Sequence, residues 1–168
     1  MIKKIISGGQ TGADIAGADA GISCGVPYGG WLPKGRKTEK GPLPGRYTEF
    51  QTMTRGGYPK RTEQNIIDSD GTVVFSFGTL SGGSALTRRL CQKHGRPFLY
   101  VDLSQELFPA ETLKEWLNRT DIQVLNVAGS RESKHPGIYG RVFKIIQTVL
   151  LNQSMRHEIH EDLLPWAA

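Results

Sequence analysis

The segment Ile2-Lys3-Lys4-Ile5-Ile6-Ser7-Gly8-Gly9-Gln10-Thr11-Gly12-Ala13-Asp14 passes from an apolar run through paired glycines into an alanine-rich stretch that lasts to Cys24. Ile2–Ile6 predicts a short strand, the glycines a tight turn, and Gly12–Cys24 a helix. The same succession recurs downstream. Thr72–Phe77 (TVVFSF), Pro97–Val101 (PFLYV) and Ile122–Val127 (IQVLNV) are nearly continuous β-branched and aromatic runs, as strands covered on both faces require. Helical patterns fall between or after them at Thr62–Asp68, Ser84–His94, Ala110–Asn118 and Gly137–Leu151. The last is the clearest, with Ile138, Val142, Ile145 and Val149 at helical spacing. Strand–helix alternation implies an α/β, Rossmann-like parallel sheet with helices on both faces, in a single domain.

That domain is expected over residues 1–151. Val26–Trp31 is a candidate for one more short strand. Lys34–Tyr58, rich in Gly, Pro and charge and without periodicity, reads as a long basic surface excursion, a candidate lid. Residues 152–168 read as a polar tail that ends in Leu163-Leu164-Pro165-Trp166, which either frays or docks on a neighbouring subunit.

The chain has 168 residues, 38% hydrophobic and 22% charged, enough for one ordinary core and too apolar for a disordered chain. No apolar run approaches the roughly 20 residues that span a bilayer, and the first apolar run is too short for a signal peptide, so a cytoplasmic setting is expected. Cys24 and Cys91 stand far apart with no CxxC, which argues against a disulfide framework or a zinc site.

The net charge of +5 is local. Between Trp31 and Asn65, eight Lys or Arg face three acids, and the rest of the chain is balanced. Such a segment is either a solvated loop or the approach to an anionic partner. The absence of an aromatic-and-basic stripe or a known binding module argues against nucleic acid.

Three predicted strands run directly into glycine-bearing loops that open into helices. These are Ser7–Asp14, Gly78–Ser84 and Ala128–Gly137. Glycine lets the backbone approach a ligand, and a helix start offers unpaired N–H groups with the helix dipole behind them. In a parallel sheet all three loops share the carboxyl edge, where ligands bind. Neither GxGxxG nor GxxxxGK[ST] is present, which disfavours a standard dinucleotide fingerprint and a Walker loop. The candidate anion-binding set is Gly8, Gly9, Gln10, Thr11 and Asp14 in the first loop, with Thr79, Ser81, Gly82, Gly83 and Ser84 in the second. Gly129, Arg131 and Lys134 complete it in the third, and Lys34 and Arg36 join from the excursion. Ser84 is equally a helix cap, and Asp14 either complements the helix dipole, holds a ligand hydroxyl or orients Gln10.

Five blocks carry a family resemblance. They are Ser7–Asp14 (SGGQTGAD), Gly29–Arg36 (GGWLPKGR), Arg61–Asn65 (RTEQN), Ser81–Thr87 (SGGSALT) and Leu125–Arg131 (LNVAGSR). In this order, over about residues 5–150, they resemble the molybdenum carrier family. That family is similar to molybdenum cofactor carrier proteins and, more distantly, to lysine-decarboxylase-like (LOG-type) proteins. The resemblance implies a Rossmann-like fold, a homo-oligomer (dimer or tetramer), and an anionic small molecule at the glycine loops. That ligand is the molybdenum cofactor or molybdate, or else a nucleotide held by its phosphate. The resemblance also brings Arg61 and Asn65 into the ligand-binding set.

LOG-type relatives hydrolyse nucleoside monophosphates with the signature PGGxGTxxE. Aligned on Gly82 and Gly83, this chain has Ser81 for the proline, Ala85 for the third glycine, Leu86 for the threonine and Arg89 for the glutamate. A cation in place of the carboxylate weighs against that hydrolysis and leaves binding intact. The primary expectation is therefore a carrier. The alternatives are a nucleotide-processing enzyme, with Asp14 or Glu63 substituting for the glutamate, and a nucleotide sensor. Elsewhere, His157 and His160 are three apart and miss the HExxH spacing, and Asp68 and Asp70 read as turn residues. His135 lies in the third loop with either a ligand or a turn role. No nucleophile–histidine–acid arrangement assembles.

Overall fold

The apolar runs pair in register into one six-stranded sheet. The computed structural model describes residues 1–162, with side chains through Met155. Strands β1 (Lys4–Ser7), β2 (Tyr28–Leu32), β5 (Phe50–Thr52), β6 (Gly71–Ser76), β7 (Phe98–Asp102) and β8 (Val124–Gly129) lie in the order β5-β2-β1-β8-β6-β7, and every pair is parallel. β3 (Lys37–Thr38) and β4 (Gly41–Pro42) form a separate antiparallel hairpin. Helices α1 (Ala13–Ser23), α4 (Pro109–Arg119) and α5 (Ile138–Asp162) pack on one face, and α2 (Tyr58–Ile67) and α3 (Gly82–Lys93) on the other. This is the Rossmann-like α/β fold expected from the alternation. β6 is buried along its whole length, which explains its unbroken apolar reading.

The main core lies under α1, α4 and α5 and includes Ile5, Phe75, Val127, Leu113, Ile138 and Val142. α1 approaches the sheet through small residues. Ala13, Ala16 and Ala20 are fully buried, and a Cβ added at Gly17 would lie 2.7 Å from Cβ and Cγ1 of Val127.

Several boundaries differ from the sequence reading. α2 starts at Tyr58 rather than Thr62, because Pro59 sits in the first turn, where a missing N–H is tolerated. α3 begins at Gly82 rather than Ser84. α5 continues past Leu151 to Asp162, since Gln153 and Met155 are good helix formers and polarity alone does not end a helix. The side chains of His157 and His160, and all of Leu163–Trp166, lie outside the described residues. Val26–Trp31 proves to be β2, shifted to Tyr28–Leu32.

The largest refinement concerns Lys34–Tyr58, which runs over the surface with most residues exposed but is pinned to the domain at four points. Leu43, Tyr47, Phe50 and Met53 are buried, and Leu43, Tyr47 and Phe50 form a second small core with Leu32 and Ala18. Tyr28, Tyr47 and Phe50 meet edge to face, with centroids 5.7–6.4 Å apart. The segment also supplies β5, the edge strand beside β2. Among the described residues no helix is long and apolar enough to cross a membrane.

Gly17→Ala is expected to destabilise the protein by about 1–2 kcal/mol in urea denaturation, overpacking against Val127 outweighing the gain in helix propensity. Gly140→Ala, also helical but with no neighbour within 4 Å of the added Cβ, is expected to stabilise it by up to about 1 kcal/mol.

Candidate functional site

β1, β8 and β6 are neighbours, so the three glycine loops that follow them emerge side by side. With the first turns of α2 they enclose a cleft of about 640 Å³. Its charged lining consists of Arg61, Arg89, Arg131, Lys134 and one carboxylate, Asp14.

The three loops are not equivalent. At the start of α1, Asp14 accepts the Gln10 N–H at 3.4 Å and the Arg61 Nη1 at 3.5 Å, and the Gly8 and Gly129 N–H groups also point to it. Arg61 lies so close over Gly8 that a Cβ there would overlap its guanidinium. Gly12, with φ of 81°, lets the first loop pass against the backbone of Ser130–Glu132. At the start of α5, Glu132 accepts from the Gly137 and Tyr139 N–H groups. Within the third loop, Glu39 of the β3–β4 hairpin accepts from the Ser133 N–H and from the hydroxyls of Ser133 and Thr11.

The start of α3 is different. No group among the described residues accepts from the N–H of Gly82, Gly83 or Ser84, and Ser81 makes no capping bond through its side chain. A Cβ at Gly82 or Gly83 would meet nothing within 4 Å. Lys134 Nζ reaches Ser81 Oγ at 2.8 Å, bringing the third loop's cation to this turn. Unpaired amides, a helix dipole and cations together receive an anion.

The cleft therefore brings together Gly8, Gln10, Asp14, Arg61, Asn65, Ser81, Gly82, Gly83, Ser84, Gly129, Arg131 and Lys134 of the expected set. Besides the Asp14–Arg61 and Lys134–Ser81 pairs, Asn65 and Gln10 are engaged within the fold. Asn65 clamps the Trp31 backbone, accepting its N–H at 2.7 Å and donating to its carbonyl at 3.2 Å. Gln10 Oε1 accepts from the N–H of Thr11 and Glu39. Gly9 and Thr11 line a separate, smaller cavity of about 220 Å³ walled by Leu43, Pro44 and Tyr47. Arg36 donates to the carbonyls of Leu43, Pro44 and Tyr47, holding the second core closed. Lys34 and Thr79 are exposed and do not line the cleft.

Glu63 does not line the cleft either. It pairs with Lys93 and His94 at the far end of α3, so it is not the substitute carboxylate. The lining also includes Tyr58, Thr87, Arg89, Asn126, Ser130 and Ser133, which the sequence reading left out of the set. The Tyr58 ring lies 5.7 Å from the Arg61 guanidinium and 5.9 Å from that of Arg131. Arg89 was visible as the cation replacing a family glutamate. Tyr58 and Ser133 carried no sequence signal.

Burial pushes the Asp14 carboxyl above its ordinary value, against the Arg61 guanidinium and the N–H groups of Gln10, Gly129 and Gly8, which pull it down. Asp14 is the one carboxylate in the cleft lining, buried and paired with Arg61.

A parallel α/β, Rossmann-like protein with a cation-lined cleft at the carboxyl edge of its sheet is the class that fold and site define. The chain belongs to the circularly permutated YpsA SLOG family, whose model matches residues 5–150. A crystal structure from Syntrophus aciditrophicus SB, of a protein described as a "putative molybdenum carrier protein", superposes with a TM-score of 0.84 at 46% identity, covering 89% of this chain and 95% of that one. Both findings support the molybdenum carrier resemblance read from the five sequence blocks. No curated protein matches the chain.

Arg61→Met is expected to raise the Asp14 carboxyl further, seen as a later carboxyl-carbon titration by NMR. A raised carboxyl contributes its stability in full below the ordinary carboxylate range and loses it as pH rises through the folded value. The variant's deficit in urea midpoints is therefore expected to be small near pH 4 and to grow to more than about 1 kcal/mol by about pH 8.

Proposed function

We propose that this protein binds and carries a small phosphate- or oxyanion-bearing molecule, with the molybdenum cofactor or molybdate as the cargo that the relationship to a molybdenum carrier favours. The observation that carries this reading is the start of α3. Its three first-turn N–H groups have no acceptor among the described residues, and a Cβ at Gly82 or Gly83, both in the cleft lining, would meet nothing within 4 Å. A tetrahedral oxyanion matches such a turn, with Lys134 and Arg131 neutralising its charge. The cleft volume of about 640 Å³ exceeds a lone oxyanion and leaves room for an organic group. Tyr58 at the lining offers that group an aromatic face.

One observation favours a second reading, a nucleotide-processing enzyme. Asp14 is a buried carboxyl on the cleft floor with raised proton affinity, a property suited to proton transfer. Incubation with AMP and detection of released base decides between the two.

Thermal shift against phosphate, molybdate, tungstate and AMP, followed by calorimetry, tests the carrier reading. Gly83→Ala is expected to leave the melting temperature equal or higher while weakening anion binding about tenfold, because the new methyl projects into the cleft and not into the protein. Arg131→Ala is expected to weaken binding by at least about 1.5 kcal/mol. Unchanged affinity in both variants would exclude this turn as the anion site. Native mass spectrometry with elemental analysis of the purified protein reads out molybdenum directly.

A further inference from the structure

Glu39 stands at the tip of a hairpin whose two strands contain only two residues each, and Lys40, Gly41 and Pro42 beside it are exposed. The tip is tied to the domain through this one residue. Its N–H donates to Gln10 Oε1 at 2.9 Å, and its carboxylate accepts the Ser133 N–H at 3.2 Å together with the Ser133 and Thr11 hydroxyls. No lysine or arginine among the described residues forms an ion pair with it. A carboxylate held by one main-chain N–H and two hydroxyls is an oxyanion in an oxyanion site.

The site behaves electrostatically as one. Burial raises the Glu39 carboxyl, yet the Ser133 and Thr11 hydroxyls, the Ser133 N–H and the nearby Arg131 outweigh it and hold the group below its ordinary value. Ser133 borders the cleft of the anion turn described above, and Thr11 lines the smaller neighbouring cavity. The residue after Ser133, Lys134, reaches Ser81 at the start of α3. Arg131 also lines this wall.

We propose that Thr11 Oγ, the Ser133 N–H and Ser133 Oγ form a second oxyanion subsite, closed by the protein's own Glu39 and opened when a ligand bearing two anionic groups displaces that carboxylate. This rests on the anion-carrier reading and specifies its ligand class: one anionic group on the α3 turn and a second on the third loop. Displacement removes three of the four hydrogen bonds that tie the tip to the domain among the described residues and leaves only the Glu39 N–H on Gln10 Oε1, which loosens the tip.

The test uses the full chain with two probes, inorganic phosphate and inorganic triphosphate, by calorimetry, together with hydrogen exchange over residues 37–42. Glu39→Ala is expected to bind triphosphate about tenfold more tightly while phosphate changes less than about twofold. In the unmodified protein, saturating triphosphate is expected to speed exchange at residues 37–42, and phosphate to leave it unchanged. An equal gain for both anions would mean that removing a charge, and not freeing a subsite, explains the variant, and would overturn the proposal. So would unchanged hairpin exchange under saturating triphosphate, a readout that does not depend on how the variant folds. Failure of phosphate to bind at all overturns the α3 anion turn, and with it this inference. Phosphate binding without the triphosphate effects overturns the second subsite alone.

Discussion

Main-chain N–H groups at the start of a helix have no partner inside that helix, and each needs an acceptor from elsewhere. Three helices in this fold begin at one edge of one sheet, so the demand is concentrated there. At α1 main-chain carbonyls meet it, Ser130 for the Ala13 N–H and Gln10 for the Ile15 N–H; at α5 Glu132 does; and Asp14 and Glu39 accept from the loop N–H groups of Gln10 and Ser133. At α3 no group among the described residues does. The electrostatics of the cleft follow from this asymmetry. Where the protein answers its own amides the loops are tied into the fold, and at α3 the amides stay open, which is the feature the carrier reading rests on.

The same asymmetry explains what could be read in the residues alone. Strand runs such as TVVFSF are buried on both faces and announce themselves by continuous β-branched and aromatic content, so the sheet and its helices were legible. Gly-Gly pairs at strand ends were legible as turns on one edge. Their different purposes were not. Gly8 makes room for Arg61 and Gly12 for the backbone of the third loop, whereas Gly83 makes room for nothing in the protein. All three look alike in sequence because the distinction lies in residues far along the chain.

Lys34–Tyr58 was read only in part, for a related reason. Its buried residues Leu43, Tyr47 and Phe50 are spaced four and three apart, but Pro42, Pro44 and Gly45 exclude a helix there, and the three belong to turns and a three-residue strand that pack on α1 and β2. Charge density suggested solvent exposure. Yet Arg36 places its charge against three carbonyl oxygens, and Arg46 lies over the Tyr47 ring at 4.9 Å. Basicity read as attraction toward a ligand is thus partly internal scaffolding, and the cations that line the cleft come mostly from α3 and the third loop.

The place of β8 has a consequence for synthesis. It is the last strand made and sits inside the sheet between β1 and β6, third from the β7 edge and fourth from the β5 edge. A chain still emerging from the ribosome holds β5-β2-β1 and β6-β7 as separate pieces, each with an unpaired inner border, until residues 124–129 zip them together. The open turn at α3 lies near the middle of the chain and gains Arg131 and Lys134 only when the residues behind that strand arrive. A nascent chain therefore has no finished cleft until the sheet is complete.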